Sequence, residues 1–245
     1  MKPGRVAHVR GMETLTIRPG LHVFRFAVGQ AYLWHERDGD GALTLVDAGP
    51  VGAGERIAEG IRGLGLDPAR LERVVLTHAH EDHCGGAAEL ARAYGAEVVA
   101  HRWEAPYVRH ETPLPPPVLI EEELPIWEAT RGLPPAPPTR VDRLVDDGDP
   151  LPFGGGARIV HTPGHTPGSI AVHLPLHGVL FTGDSVAVTD RVRLGVFHID
   201  REAARSSLRR LSVLAPEVLC PGHGETVTEG AAAALVRAAQ RDGEL

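Results

Sequence analysis

The sequence predicts a mixed α/β fold in one large domain. Of its 245 residues, 42% are hydrophobic, which is enough to bury a substantial core. Short apolar runs that are typical of strands alternate with segments whose apolar residues recur at helical spacing. Several of these runs end directly in an aspartate or a histidine, as in LVDAG and VVLTHAH. A loop at the end of a buried strand is a common place for a rigid scaffold to present functional side chains.

The first half of the chain reads as strands with helices between them. Met12 is an alternative start, which makes residues 1–12 a dispensable, disordered tail and leaves residues 13–245 as the domain. Apolar alternation or continuous apolar runs predict five strands, and helical spacing closed by glycine predicts two helices. The predicted strands are LHVFRF (21–26), AYLWHE (31–36), LTLVDAG (43–49), VVL (74–76) and EVVAHR (97–102), and the helices are 55–66 and 85–97.

Residues 104–140 break this pattern because they are dense in proline, which does not fit inside helices or sheet ladders. We expect one short amphipathic helix near residues 120–130. A long irregular insertion in a compact domain is typically a lid or a binding loop, with a functionless surface loop as the alternative. Strands resume in GARIVH, SIAVHLPL, GVLFTGDS and EVLCPGHGE, with a helix at 201–214 and an alanine-rich helix at the end of the chain.

Composition and net charge limit the classes of molecule that the protein is expected to bind. A net charge of −7 argues against a broad electrostatic grip on nucleic acid or on an anionic membrane. No apolar segment resembles a signal peptide or a membrane span, so we expect a cytoplasmic protein. Two cysteines, Cys84 and Cys220, form no disulfide framework and are interpreted as buried thiols. The oligomeric state is not readable from the sequence.

A run of histidines and acids, HAHEDH, follows the predicted strand at residues 74–76. His78 and His80 are two residues apart, so an extended chain points both side chains the same way. Asp82 and His83 are expected on the turn that leads into the next helix, within reach of a second nearby centre. A histidine by itself is usually a packing or surface residue, so the run needs support from elsewhere in the chain.

That support comes from three further donors, each expected just past an apolar strand in a loop bracketed by glycine. They are His165 in HTPGHTPGS, Asp184 in LFTGDS and His223 in LCPGHGE. Imidazole and carboxylate groups are the ligands that suit zinc, iron and manganese. Seven donors of these types are difficult to assign to packing, and the pattern therefore predicts a bound metal pair.

The motifs THAHEDH, GHTPGS, TGDS and PGHG, with LVDAG before them, resemble the metallo-β-lactamase fold superfamily and its glyoxalase II and lactonase-like branch. The resemblance implies a four-layer αβ/βα sandwich with two metals at one edge, between the two sheets. It also implies which residues bind each metal. His78, His80 and His165 would bind the first metal, Asp82, His83 and His223 the second, and Asp184 would bridge them.

Zinc is favoured by the histidine-rich ligand set, with iron and manganese as alternatives. The expected function is hydrolysis of a small-molecule ester, thioester or lactone by attack of metal-bound hydroxide, with Asp82 orienting the nucleophile or moving a proton. Asp47 and Thr77 are expected to orient the ligands through hydrogen bonds. His198 and Trp127 are candidate substrate contacts.

The sequence is also compatible with two other functions. One is an oxidative enzyme of the same fold, similar to a persulfide dioxygenase with a single iron. The other is a non-catalytic, metal-stabilised binding module, which would have a pocket plugged by the insertion. Arg191, Arg193 and Arg201 indicate either an anionic substrate tail near Asp184 or ordinary solvated arginines.

Overall fold

The computed structural model describes residues 4–9, 11–36, 41–130 and 132–242, with side chains described for residues 11–36, 41–130 and 132–241. The strands are β1 Gly4–Val9, β2 Met12–Arg18, β3 Leu21–Arg25, β4 Gln30–His35, β5 Leu43–Val46, β6 Leu71–Val75, β7 Glu97–His101, β8 Arg143–Val145, β9 Pro150–Leu151, β10 Ala157–His161, β11 Ile170–Leu174, β12 Val179–Val188, β13 Val192–Leu194 and β14 Val218–Gly224. The α-helices are α1 Ala53–Gly63, α2 Glu81–Cys84, α3 Ala87–Tyr94, α4 Ala105–Val108, α5 Leu124–Thr130, α6 Arg201–Ser212 and α7 Ala231–Asp242, and short 3-10 turns lie at Pro68–Arg70, Glu121–Glu123 and Pro175–His177.

These strands form two sheets. In the first, strands β1 to β8 lie in chain order; they are antiparallel up to β5 and parallel from β5 to β8. The parallel half carries crossover helices, as parallel pairing requires. In the second sheet the order is β13-β12-β11-β10-β9, and β14 pairs parallel to β12. The carboxyl ends of β5 and β6 therefore share one edge of the first sheet.

Each sheet is buried on both faces, which produces three apolar cores. Leu45 points to the core shared with α1 and α3, whereas its neighbour Val46 points to the core between the two sheets. In the second sheet, Phe181 faces the first sheet and Leu180 faces α6 and α7. This alternation follows from the two-residue side-chain period of a strand. The layers are helices, sheet, sheet and helices, and the predicted four-layer αβ/βα fold is confirmed.

The N-terminal segment differs from the expected tail. Residues 4–9 form β1, which pairs antiparallel with β2, and Met12 is fully buried beneath α1. Residues 4–9 contain no apolar run that would predict a strand, and β1 is defined by its backbone pairing with β2. Residues 1–3 and 10 of the predicted tail lie outside the described residues.

The proline-rich segment contains the expected short helix. The 3-10 turn at Glu121–Glu123 and α5 occupy the region predicted near residues 120–130, and the flanking chain is irregular. This segment lies over the edge of the sandwich that carries Asp184 on β12 and His223 on β14, because it lines the same cavity as those two residues. None of the helices in the described part of the chain is long and apolar enough to cross a bilayer.

Candidate metal centre

All seven donors predicted from the sequence lie together at the edge of the sandwich, between the two sheets. Four come from the segment after β6 and from α2, and one from the loop between β10 and β11. Asp184 and His223 differ from the prediction, because they lie within β12 and β14 and not in loops past them. The pairing of these two strands shifts register around Gly183, and such irregularities redirect side chains.

The donor atoms form three overlapping groups. The members of each group have ligand atoms within 4.8 Å of one another. The groups are His78, His80 and His165; His78, His83 and Asp184; and Asp82, His83 and His223. Two of them coincide with the ligand sets that the family resemblance implied. The third shares His78 with one set and His83 with the other, and it adds Asp184.

Asp184 occupies the position between the two histidine sets. Its Oδ1 lies 3.2 Å from Nε2 of His83, and its Oδ2 lies 3.2 Å from Nε2 of His223 and 3.6 Å from Nε2 of His165. A Cβ atom at Gly222 would lie 2.0 Å from Asp184 Oδ1, so only glycine leaves room for the carboxylate. This arrangement suits a bridging ligand.

Several nitrogen and oxygen atoms of the seven donors face one another or lack a hydrogen-bond partner, which indicates whether the residues fit a metal. Nε2 of His78 and Oδ1 of Asp184 are buried and make no hydrogen bond among the described residues. Nδ1 of His80 and Nε2 of His165 lie 2.8 Å apart, and Nε2 of His83 lies 3.3 Å from Nε2 of His223. Buried polar atoms are normally satisfied. A cation between these facing nitrogens and oxygens would satisfy them, so the donor set fits a metal.

Asp47 orients two of the histidines. It follows β5 with a positive φ of 62°, and its carboxylate accepts hydrogen bonds from the backbone N–H of Thr77 (2.7 Å), the Thr77 hydroxyl (2.8 Å) and Nδ1 of His83 (2.9 Å). Because the Thr77 hydroxyl donates to Asp47, it accepts from Nδ1 of His78 at 3.0 Å. In their neutral forms both imidazoles therefore carry the proton on Nδ1 and leave Nε2 free, which is the tautomer that a metal ligand needs.

The protonation preferences agree with a metal site. Burial lowers the pKa of His78 and of His165 well below the ordinary value, so both rings are neutral. Burial also opposes the charged form of His83, but Asp184, Asp82 and Asp47 outweigh it and raise the pKa of His83 well above the ordinary value. The carboxylates therefore attract positive charge to the centre of the cluster, and a divalent cation would supply such charge.

Glu104 supports the site, although the sequence analysis placed it only at the start of the proline-rich insertion. It is fully buried, and its carboxylate accepts from the N–H of Ala79 (2.8 Å), the hydroxyl of Thr166 (2.9 Å) and the N–H of Gly168 (2.9 Å). One side chain thus joins the loop that carries His78 and His80 to the loop that carries His165. Its position soon after buried strand β7 was the available signal, since Asp47 follows β5 in a similar way.

Gln30 and Tyr32 were also missed, and they hold the strand that carries His223. Nε2 of Gln30 donates to the carbonyls of Pro221 (2.7 Å) and Gly224 (3.1 Å), and the Tyr32 hydroxyl donates to that of Pro221 (3.0 Å). These contacts join residues about 190 positions apart. No local sequence pattern signals them.

A cavity of about 1080 Å³ opens onto the cluster. Its inner end is formed by His80, Asp82, His165, Asp184 and His223. Its walls are largely apolar and come from the insertion and from the segment after β13; they include Pro115, Pro116, Pro117, Ile120, Ile126, Trp127, Leu133, Leu194, Val196 and Phe197. The insertion therefore forms a large part of the wall of the cavity.

Of the two predicted substrate contacts, one lies in the cavity wall. Trp127 lines the cavity and packs edge-to-face on Phe197 at 5.3 Å. His198 does not fit that role, because its ring is fully buried outside the cavity wall. Its Nε2 donates to the carbonyl of Gly195 at 2.9 Å, and its ring lies 5.8 Å from that of His165. His198 fixes the loop after β13 and leaves substrate contact to its neighbours.

Comparison with known proteins identifies the family. The family model described as "Metallo-beta-lactamase superfamily" matches residues 28–223. The chain belongs to the metallo-beta-lactamase superfamily. The match spans all seven donors and confirms the resemblance seen in the motifs. Members of this fold bind divalent metals, and this chain is a member of a metallo-hydrolase family.

Three proteins illustrate what this chain is similar to within the superfamily. A hydroxyacylglutathione hydrolase of Cereibacter sphaeroides is 33% identical over 198 residues, which are 79% of this chain and 61% of that protein. The "Probable metallo-hydrolase YflN" of Bacillus subtilis is 28% identical over 238 residues, 85% of each chain. The crystal structure of TTHA1623 "in a di-iron-bound form" is 30% identical with a TM-score of 0.63, and the match covers 86% of this chain and 93% of that one.

Proposed function

We propose that this superfamily member hydrolyses a carbonyl ester, thioester or lactone of a small molecule at a centre of two divalent metals. The observation that carries the proposal is the convergence of seven imidazole and carboxylate donors, with unpaired lone pairs, at the inner end of a cavity. Hydrolysis of a thioester also agrees with the activity named for the hydroxyacylglutathione hydrolase relative. The chain covers less than two thirds of that relative, so the substrate assignment rests on the site.

The proposed ligand sets follow the geometry. His78, His80 and His165 would hold one metal, and Asp82, His83 and His223 the other; Asp184 would contact both. When bound, such a pair supplies Lewis acidity toward a carbonyl oxygen and lowers the pKa of water. Zinc suits the imidazole-rich set, and iron is an equal candidate because the TTHA1623 relative is described in a di-iron-bound form.

The protein's own groups provide orientation, exclusion of water and proton transfer. The apolar cavity walls hold the organic part of the substrate and keep water away from it, while the carbonyl lies at the inner end. Asp82 lines that end and lies 3.2 Å from Nε2 of His223. Its carboxylate is in position to accept a proton from the attacking water and to pass it to the leaving oxygen or sulfur.

The two alternatives predict different features. A non-catalytic module would have its pocket plugged by the insertion, and the insertion instead lines a cavity of about 1080 Å³. An oxidative enzyme would bind one iron per chain and consume oxygen. Metal stoichiometry together with oxygen uptake distinguishes that function from hydrolysis.

The test compares two matched substitutions. Asp184→Asn keeps the shape of the side chain and removes its charge at the centre, whereas Asp190→Asn makes the same change at an exposed position. We expect purified protein to contain a transition metal and to hydrolyse members of an ester, thioester and lactone panel. Chelation and Asp184→Asn should each abolish turnover, and Asp190→Asn should not. Metal-free protein as purified, or hydrolysis that survives both treatments, would refute the proposal.

A further inference from the structure

We propose that the cavity recognises substrates with a terminal oxyanion, a carboxylate or a phosphate, which binds Arg193 and Arg205 while the scissile carbonyl lies at the metal centre. This inference rests on the proposed function and names the class of substrate. Both arginines line the cavity that ends at the seven donors. The apolar walls lie in the same cavity, so the matching substrate has an apolar section between its two polar ends.

Arg205 has a buried hydrogen-bond donor without an acceptor. Arg201 and Arg205 are four residues apart on α6 and therefore lie on the same face of the helix, next to the cavity. Arg201 is paired, because its guanidinium donates to Glu123 at 2.7 Å. Arg205 has no carboxylate partner among the described residues, and its Nε is buried without an acceptor. A buried guanidinium N–H without an acceptor is costly, and an oxyanion in the cavity would remove that cost.

Arg193 lines the same cavity from a different element of the fold. Arg193 lies on β13, which packs against α6, and its exposed side chain lines the cavity. Asp190 attracts it at longer range, but no carboxylate of the described residues lies within ion-pair distance of its guanidinium. Arg191, two residues earlier, lies outside the cavity wall and close to Asp190 at 3.8 Å. Of the three arginines considered from the sequence, only Arg193 is thus both unpaired and on the cavity wall, because Arg201 is neutralised by Glu123.

The chemistry of the guanidinium group sets the ligand class. Its planar array of N–H donors matches the oxygens of a carboxylate or a phosphate, and two arginines on separate elements can bind one such group from two sides. Glu81 and Glu122 also line the cavity, but no ion pair joins either of them to Arg193 or Arg205 among the described residues. Two positive charges therefore remain available to a ligand in the cavity of a chain whose net charge is −7.

Matched thioesters test the proposal. The octanoyl thioester of N-acetylcysteamine is compared with two chains of the same length that end in a carboxylate or in a phosphate ester. We expect the wild-type kcat/KM for one of the charged substrates to exceed that for the neutral one about tenfold or more. The Arg193→Gln/Arg205→Gln double variant should lose this ratio, whereas Arg191→Gln, which carries the same substitution at an exposed position, should keep it.

Binding of the corresponding amides, measured by calorimetry, separates this inference from the proposed function. If nothing in the ester, thioester and lactone panel is hydrolysed, the proposed function fails. The anion site still stands in that case if a charged amide binds about tenfold more tightly than the neutral one and the double variant loses that preference. Equal binding of all three amides by the wild type, or a preference that survives the double substitution, overturns the anion site. The ending that is preferred identifies carboxylate or phosphate. If the double variant does not fold, the Arg193→Gln single variant carries the same test at an exposed position.

Discussion

Asp47→Asn provides a demanding test of how the metal centre is organised. The carboxylate of Asp47 accepts a hydrogen bond from Nδ1 of His83 directly and orients His78 through the Thr77 hydroxyl. An asparagine has one acceptor oxygen for the three donors that contact Asp47. When that oxygen stays on the Thr77 backbone N–H, the amide NH2 faces Nδ1 of His83 and favours the His83 tautomer with a proton on Nε2. That proton would point at the metal position. Loss of one such supporting partner typically lowers metal affinity about 10–100-fold, equivalent to about 1.4–2.7 kcal/mol.

Because Asp47 supports one ligand in each predicted metal set, we expect both metals to bind more weakly, with the larger loss at the set that contains His83. The assay is competition with a chelating dye on protein of known metal content, with thermal melting as a check on folding. Thr77→Ser keeps the hydroxyl and should retain affinity, whereas Thr77→Val removes it and should weaken only the set that contains His78. Wild-type affinity within about twofold in a folded Asp47→Asn protein would refute this account of ligand orientation.

Three further substitutions test other contacts. Burial raises the pKa of Glu104 from 4.5 to about 7, so the folded state holds its proton more tightly than the unfolded state does. About 3 kcal/mol of stability that is present below pH 4.5 should therefore be lost as the pH rises through about 7, and urea denaturation of Glu104→Gln should lack that loss. Glu123→Ala removes a buried partner that holds the insertion, and amide hydrogen exchange there should accelerate about tenfold or more; an unchanged rate would contradict this role. Gly222→Ala should displace Asp184 and abolish tight metal binding, whereas Gly132→Ala, which faces open space, should leave metal content unchanged.

The sequence predicted the parts of the fold and site that short-range patterns encode. Two-residue alternation and apolar runs located most of the strands, and the HAHEDH run with its three partner motifs located all seven donors. Two donors were placed wrongly with respect to the strands, because glycine beside Asp184 and His223 suggested loops. The structure keeps those glycines inside strands, where close backbone approach and the shift in register require them.

The supporting residues could not be predicted in the same way, because their partners are distant in the chain. Glu104 was assigned to an irregular insertion, yet its contacts reach back to Ala79 and forward to Thr166. His198 was expected near substrate because it follows Asp184 in the chain, but it is buried beside His165 instead. Position along the chain does not specify which way a side chain points where segments distant in sequence pack together.

The attachment of the segment at residues 114–133 has a consequence for how new specificities arise in this protein. The segment supplies much of the cavity wall, yet all seven donors and Asp47 lie outside it. Glu123 and the backbone bond from Val118 to the carbonyl of His198 fasten it to the loop after β13. Exchange of this segment between homologues would alter which substrates fit the cavity, whereas the seven donors and Asp47 would be unchanged. Substrate specificity can therefore change through residues 114–133 while the residues of the metal centre stay the same.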